Sequence, residues 1–178
     1  MKRSRIDSAV DNVSEQAVRD TGLSIIPTGS VLIVVQGMIV ARRVPVAVTD
    51  GLLTINQDMK ALVPRQSVRA DFLAHQLESA QDALFPLIDE AGHGTRRLPT
   101  PALIGLPLVL PSVAEQQQIV MAIEHESSQI ALTVTRYSRE IELVQEYRTR
   151  LISDVVTGKL DVRDGAMVGR YDKSATCR

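Results

Sequence analysis

Asn56, Gln57, Asp58 and Lys60 crowd one short stretch directly after an apolar run, Leu52 to Ile55. Carboxamides at a strand end can present a donor and an acceptor side by side, the pairing that adenine offers in a DNA major groove. Guanidinium forks match guanine in the same way. Arginines also come in pairs, Arg42 with Arg43, Arg65 with Arg69, and Arg96 with Arg97, and such cations contact phosphates, which positions a nucleic acid without specifying its sequence. With Gln36 added, the residues Arg42, Arg43, Asn56, Gln57, Lys60, Arg96 and Arg97 form the candidate DNA-binding set. Each has an ordinary reading as well, because exposed arginines solvate protein surfaces and a strand-end asparagine often satisfies turn backbone.

Residue patterns suited to catalysis are sparse. His75, His93 and His125 are far apart, no two share the i, i+4 face of a helix, and no cysteine stands near any of them, so a metal site is not expected. A Walker-type loop is missing, and Gly92 to Gly94 lacks the strand-loop-helix setting that a phosphate cradle needs. No nucleophile elbow marks any serine. The expectation is a noncatalytic protein with no catalytic residue, no bound metal and no cofactor of its own.

Composition sets the limits within which these residues work. The chain has 178 residues, 44% of them hydrophobic, which is enough for one domain core with an appended element. Twenty basic residues face 21 acidic ones for a net charge of -1, so any phosphate contact must come from local clusters. The single cysteine, Cys177, cannot make an internal disulfide and is compatible with a reducing cytoplasm. No apolar run reaches the roughly 18 residues that cross a bilayer, and the N-terminus has no secretory h-region. A soluble cytoplasmic protein is expected.

The first half of the chain is rich in strand signals. Residues 1–12 read as a flexible arm, and Val13 to Thr21 as a short helix ended by Gly22. Pro27, Gly29 and Ser30 make a turn into Val31 to Val35, a β-branched run suited to a buried strand. Gly37 breaks that run, Met38 to Val40 resumes it, and Val44 to Val48 follows with Pro45 inside, which suggests an edge strand or a bend. Asp50 and Gly51 read as a hairpin turn into a strand over Leu52 to Ile55. A helix is expected from an N-cap at Ser67 to about Gln81, then a loop over Gly92 to Thr95, a short helix opened by Thr100 and Pro101, and an extended segment from Leu106 to Leu110.

From Ser112 to Thr157 the pattern changes to a single long helix. Val120, Ile123, Ile130, Val134, Tyr137, Ile141, Val144, Leu151 and Val155 step by three and four, with only Ser127 and Arg148 interrupting. A 3.5-residue period sustained this long lays a narrow apolar stripe along one side of a helix, and such a stripe requires a partner helix. Ser112 and Glu115 have the spacing of a capping box, and Gly158 marks the stop. About 46 residues at roughly 1.5 Å each make a rod of about 69 Å. Residues 164–178 turn polar and read as a flexible tail.

Six segments in order, VSEQAV, IIPTGSVLIVVQGMIVAR, TINQDMKALVP, GHGTRRL, LPLVLPSVAEQQQIVMAI and EYRTRLISDVVTGKLDVR, resemble the specificity subunit of type I restriction-modification systems. The resemblance runs from residue 13 to residue 163. It implies a mixed α/β (α+β) DNA target recognition domain over residues 13–110, followed by a conserved spacer and dimerisation helix over residues 111–163. In that family an intact subunit carries two recognition domains held apart by two antiparallel helices. The helices also dock modification subunits, which bring the methyltransferase site and S-adenosylmethionine, and the complex includes restriction subunits. This sequence has one domain and one helix with little chain ahead of them, so it resembles a half-subunit or an N-terminally truncated piece. Double-stranded DNA, modification and restriction subunits, and a second copy of the chain are the implied partners; two copies would restore the two-helix spacer and favour a palindromic split site. Two other readings stay open at this level: a coiled-coil scaffold or remnant without a DNA role, and the tail of a fused restriction-methylation enzyme.

Overall fold

Strand β2 (Val31–Val34) is the central element of the sheet, and its neighbours are set by what its side chains need. Val31, Leu32 and Ile33 are all buried, as a strand covered on both faces must be. In this computed structural model, which describes residues 5–9, 12–91 and 94–161, β2 pairs antiparallel with β3 (Val46–Thr49) on one side and with β4 (Met59–Leu62) on the other. A two-residue strand β1 (Arg5–Ile6) adds in parallel to the far side of β3, giving the order β1-β3-β2-β4. Helix α1 (Glu15–Thr21) precedes β2, capped by the Ser14 hydroxyl, which accepts from the Ala17 amide at 3.1 Å, and ended by Gly22 at φ 65°.

Helix α2 (Ala70–Ser79) lies over β2 and β3 and buries Phe72, Ala74 and Leu77. Helix α3 (Gln81–Leu84) follows it. Gln81 ties this layer to the sheet: its side-chain oxygen accepts from the Val44 amide at 2.9 Å, and its amide nitrogen donates to the Val44 carbonyl at 3.1 Å. A hairpin of β5 (Asp89–Ala91) and β6 (Thr95–Arg97) comes next, then the short helix α4 (Thr100–Ile104). The core joins the sheet valines to Leu77, Leu84, Leu98 and Leu103.

Several local expectations give way to longer-range contacts. Arg5 and Ile6 are not a loose arm: β1 extends the sheet, and the Arg5 guanidinium pairs with the Asp50 carboxylate at 2.6 Å. This hydrogen bond lowers the Asp50 pKa and raises that of Arg5. Met38 to Val40 does not resume a strand but forms a 3-10 turn over Met38–Ala41, because Gly37 at φ 123° breaks the extended path. The Val46–Thr49 strand is interior, not an edge, and Pro45 sits just ahead of it, where only its carbonyl is needed to accept from the Val34 amide. Asp50 and Gly51 do not open a hairpin strand; Leu53 makes only an isolated bridge to Ile26. Gly51 is needed for another reason, since a Cβ there would lie 2.7 Å from the Asp7 carbonyl oxygen of the arriving arm. Helix α2 starts at Ala70 with Arg69, not Ser67, at its N-cap position, and Thr95 is not loop but pairs with Ala91 in the β5-β6 hairpin. Gly92, His93 and the segment 164–178 lie outside the described residues.

Helix α5 (Val113–Val156) is a single 44-residue element, about 66 Å at 1.5 Å per residue. Its capping box forms as the spacing requires: the Ser112 amide donates to Glu115 at 2.9 Å, and the Glu115 amide donates to the Ser112 hydroxyl at 3.3 Å. The hydroxyl's own bond to the carboxylate, then that of the Ser112 amide, holds Glu115 below its usual pKa. Gly158 takes the left-handed conformation at φ 71° beyond the last turn. The chain divides into two compact units, Met1–Glu124 and His125–Arg178.

Gln116, on the first turns of α5, is fully buried inside the first unit. Its oxygen accepts from the Arg69 amide at 2.8 Å, and its nitrogen donates to the carbonyls of Ser67 and Pro111, both at 2.9 Å. Replacing it by leucine strands those backbone groups away from water. Gln116→Leu is expected to lower the unfolding free energy by about 2 to 3 kcal/mol in urea titrations; an unchanged midpoint would remove Gln116 as an anchor. Asp71 gives a pH-dependent counterpart. Burial raises its pKa, but hydrogen bonds from Arg69 and from the Phe72 amide outweigh that and leave it lowered. A depressed carboxylate stabilises the fold above its unfolded pKa and loses that contribution as pH falls through the folded value. The stability gap between wild type and Asp71→Asn should therefore be full at pH 7 and narrow below about pH 4.

Candidate nucleic-acid interface

Three segments converge where β2 ends. The Val35 and Gln36 amides donate to the Asp58 carbonyl at 2.8 and 3.2 Å, which brings the entry of β4 alongside. From the other side the Leu98 amide donates to the Val35 carbonyl at 2.7 Å, the Gly37 amide donates to the Arg96 carbonyl at 3.0 Å, and Gln36 bridges Arg97. Between these segments lies a cavity of about 360 Å³ lined by Val35, Gln36, Gln57, Lys60, Arg97, Leu98, Pro99, Thr100 and Pro101. Val35 and Leu98 are buried and form its apolar base. Gln36 is half-buried, while Gln57, Lys60 and Arg97 are exposed around it.

Four residues of the candidate set, Gln36, Gln57, Lys60 and Arg97, thus line one cavity although they are distant in sequence. Two carboxamides there can offer paired donors and acceptors, and of the two cations neither forms an ion pair among the described residues, although Asp89 stands opposite Arg97 across the β5-β6 hairpin. Lys60 lies within β4 and not beyond a strand end, because the strand starts at Met59.

The other four members are placed differently. Asn56 turns back on its own loop, its side-chain oxygen accepting from the Asp58 amide at 3.2 Å and its nitrogen reaching Asp58 Oδ2 at 3.5 Å. It shapes the turn that delivers Gln57. Arg96 pairs with Glu90 across the β5-β6 hairpin at 3.2 Å, and Arg43 pairs with Glu78 of α2 at 3.2 Å. Arg42 is exposed, with no carboxylate partner among the described residues. Thr100 also lines the cavity and lies outside the candidate set. It reads from sequence as a helix cap, yet Pro99 holds that position.

The stripe of the long helix divides as well. Val120 is 3% exposed, already buried and unavailable to a partner, and Ile123 is half-buried. Ile130, Val134, Tyr137, Ile141 and Val144 are exposed by 58 to 66%, while Leu151 and Val155 are half-buried. Among the described residues, no group of His, Cys, Asp or Glu is placed to hold a metal ion, and no helix is long and apolar enough to cross a membrane.

Against known proteins, the chain is 29% identical over 157 residues to the type I restriction enzyme EcoR124I/EcoR124II specificity subunit of Escherichia coli. The chain resembles a type I restriction specificity subunit. The resemblance read from its sequence segments is borne out, and it covers 86% of this chain but 39% of that relative. The chain therefore spans about two fifths of the length of the relative it matches. Among solved structures, the HsdS subunit from Thermoanaerobacter tengcongensis is similar at 24% identity and a TM-score of 0.47, over 60% of this chain and 24% of that one. No family model matches. The mixed α+β fold with a long C-terminal helix is the class expected from the sequence.

The geometry separates a turn-forming asparagine from a cavity-lining glutamine one position later. Asn56→Ala should reduce thermal stability by about 1 kcal/mol through loss of the side-chain acceptor for the Asp58 amide, whereas Gln57→Ala should leave the melting temperature unchanged. Equal losses in calorimetry would refute that division of roles.

Proposed function

We propose that this chain is a noncatalytic, sequence-reading component of a type I restriction-modification complex, acting on double-stranded DNA in the cytoplasm. The observation that carries this reading is the convergence of Gln36, Gln57, Lys60 and Arg97 on one cavity, in a chain similar to a specificity subunit. The carboxamides read base edges, and Lys60 and Arg97 hold phosphates, with Arg42, Arg43 and Arg96 extending the cationic rim. Arg43 and Arg96 are held by exposed ion pairs worth little in water, so a phosphate can replace either carboxylate. The exposed stripe of α5 pairs with a second such helix, supplied by another copy of the chain, and the paired helices dock the modification subunits. S-adenosylmethionine and the methyl-transfer site belong to those subunits.

Selection of the full chain from a randomised duplex pool, with and without a modification subunit and at two salt concentrations, tests this directly. Enrichment of a split palindrome is expected. Weak binding that ignores sequence and vanishes with modest salt would leave only phosphate contact and would overturn the specific reading. On the enriched duplex, Lys60→Ala and Arg97→Ala should weaken binding to all sequences alike and reduce the salt slope by about 1 each. Gln36→Ala and Gln57→Ala should instead relax discrimination at one position by about 1 to 3 kcal/mol. Pairing through the helix has its own test: Ile130→Asp with Ile141→Asp should give a monomer by sedimentation, and a persisting dimer would sink the stripe as an interface.

A further inference from the structure

The 3-10 turn after β2 carries a feature that the cavity leaves unused. Met38 is 71% exposed and Ile39 50% exposed, side by side, while Val40 beside them is fully buried in the core. The turn is anchored through its backbone. The Gly37 amide donates to the Arg96 carbonyl at 3.0 Å, the Val40 amide donates to the Gly37 carbonyl at 3.2 Å, and the amides of Arg42 and Arg43 both donate to the Ile39 carbonyl at 3.0 Å. Gly37 holds φ 123°, a conformation that side-chain-bearing residues rarely take. The tip is therefore an apolar knob held at a fixed place beside Gln36.

What surrounds the knob argues for its occupant. Arg42 follows it in the same loop, Gln36 precedes it, and Arg96 and Arg97 lie on the strand packed against it. Of the nearby carboxylates, Glu78 and Glu90 are engaged by Arg43 and Arg96, and Asp89 stands opposite Arg97 across the hairpin, which leaves Arg42 as the cation next to the knob. An apolar protein surface pressed here would desolvate the Arg42 guanidinium without an acceptor. Duplex DNA presents the complementary arrangement, with phosphates along the rim and apolar thymine C5-methyl groups within the major groove.

We propose that Met38 and Ile39 contact a thymine methyl group next to the bases facing the Gln36 and Gln57 cavity, and so set the preference at that position. This rests on the DNA-reading role proposed above. The test uses the full chain and the duplex it enriches from the randomised pool, with each thymine replaced in turn by deoxyuracil, which removes only the methyl. One replacement is expected to weaken wild-type binding about three- to fivefold, as loss of one buried methyl predicts. The Met38→Ser, Ile39→Ser double variant should bind the thymine and uracil duplexes equally, with an unchanged salt slope.

Wild-type indifference to every replacement, an enriched site without thymine, or a variant that keeps the full thymine preference overturns the proposal while leaving sequence reading intact. A variant that keeps the thymine preference but no longer binds the modification subunit would assign the knob to protein docking instead. A wild-type chain that enriches no site would remove the DNA-reading role itself. Where the double variant fails to fold, the single variants Met38→Ala and Ile39→Ala are read on the same duplexes: a reduced thymine preference in either supports the proposal, and a full preference in both overturns it.

Discussion

The buried amide of Gln116 is the contact on which the rest of the arrangement depends. A glutamine side chain has one acceptor and two donors well placed for backbone, and here both ends are used. The oxygen takes the Arg69 amide at the start of α2, and the nitrogen gives to Ser67 and Pro111. The first turn of a helix leaves unpaired amides, and α2 has no side-chain cap of its own at Arg69. Gln116 supplies the missing acceptor from a different helix. Buried polar groups are costly unless satisfied, so this one contact fixes the start of α5 against α2 more narrowly than apolar packing could. Since α2 lies over β2 and β3, and Gln81 of the following α3 joins the Leu77 carbonyl of α2 to Val44, that constraint continues toward the strand whose end forms the cavity.

The cavity follows from how β2 stops. Its ladder partners change after Val34, so Val35 and Gln36 bond to the Asp58 carbonyl, while Val35 receives Leu98. This exchange lets side chains from three distant segments meet without any of them being buried as charges. Lys60 and Arg97 stay exposed, which avoids the desolvation cost of an unpaired cation, and the apolar base is left to Val35 and Leu98. A surface built this way keeps its charge available to solvent-borne phosphate, while the backbone at Gln36 is fixed by its bonds to Asp58 and its bridge to Arg97.

The parts legible in the sequence were those decided within a few residues. The capping box at Ser112 and Glu115, the Gly22 and Gly158 stops and the buried Val31 strand depend on local chemistry, and they form as read. The errors have one physical origin, which is contact with a distant segment. Met38 to Val40 has the composition of a strand, but Gly37 is pinned by Arg96 and the backbone coils. Leu52 to Ile55 looks like a hairpin partner, yet β3 is already flanked by β1 and β2 and has no free edge. Gln116 looks like any polar residue on a helix surface; nothing in its neighbours announces Ser67 or Arg69. For the site, residue type was enough to nominate Gln36, Gln57, Lys60 and Arg97, but only the crossing of β6 past the end of β2 brings them together. Asn56 was of the right type in the right stretch, and its side chain serves the turn.

The exposed stripe of α5 carries more information than its hydrophobicity. Five consecutive stripe positions from Ile130 to Val144 remain more than half exposed, an apolar line too regular to be ordinary surface. Its two interruptions, Ser127 and Arg148, fall at equivalent heptad positions. A parallel pair in register would set the two Arg148 guanidiniums against each other, a like-charge contact in a drying seam. An antiparallel pair would instead oppose each arginine to an apolar or small residue from the other end of the partner helix and let its charged head reach water along the edge. Polar residues at core heptad positions are known to choose register and orientation at some expense of stability. Were two such helices to pair, the arginine at this core position would disfavour the parallel arrangement, a choice that the apolar positions alone leave open.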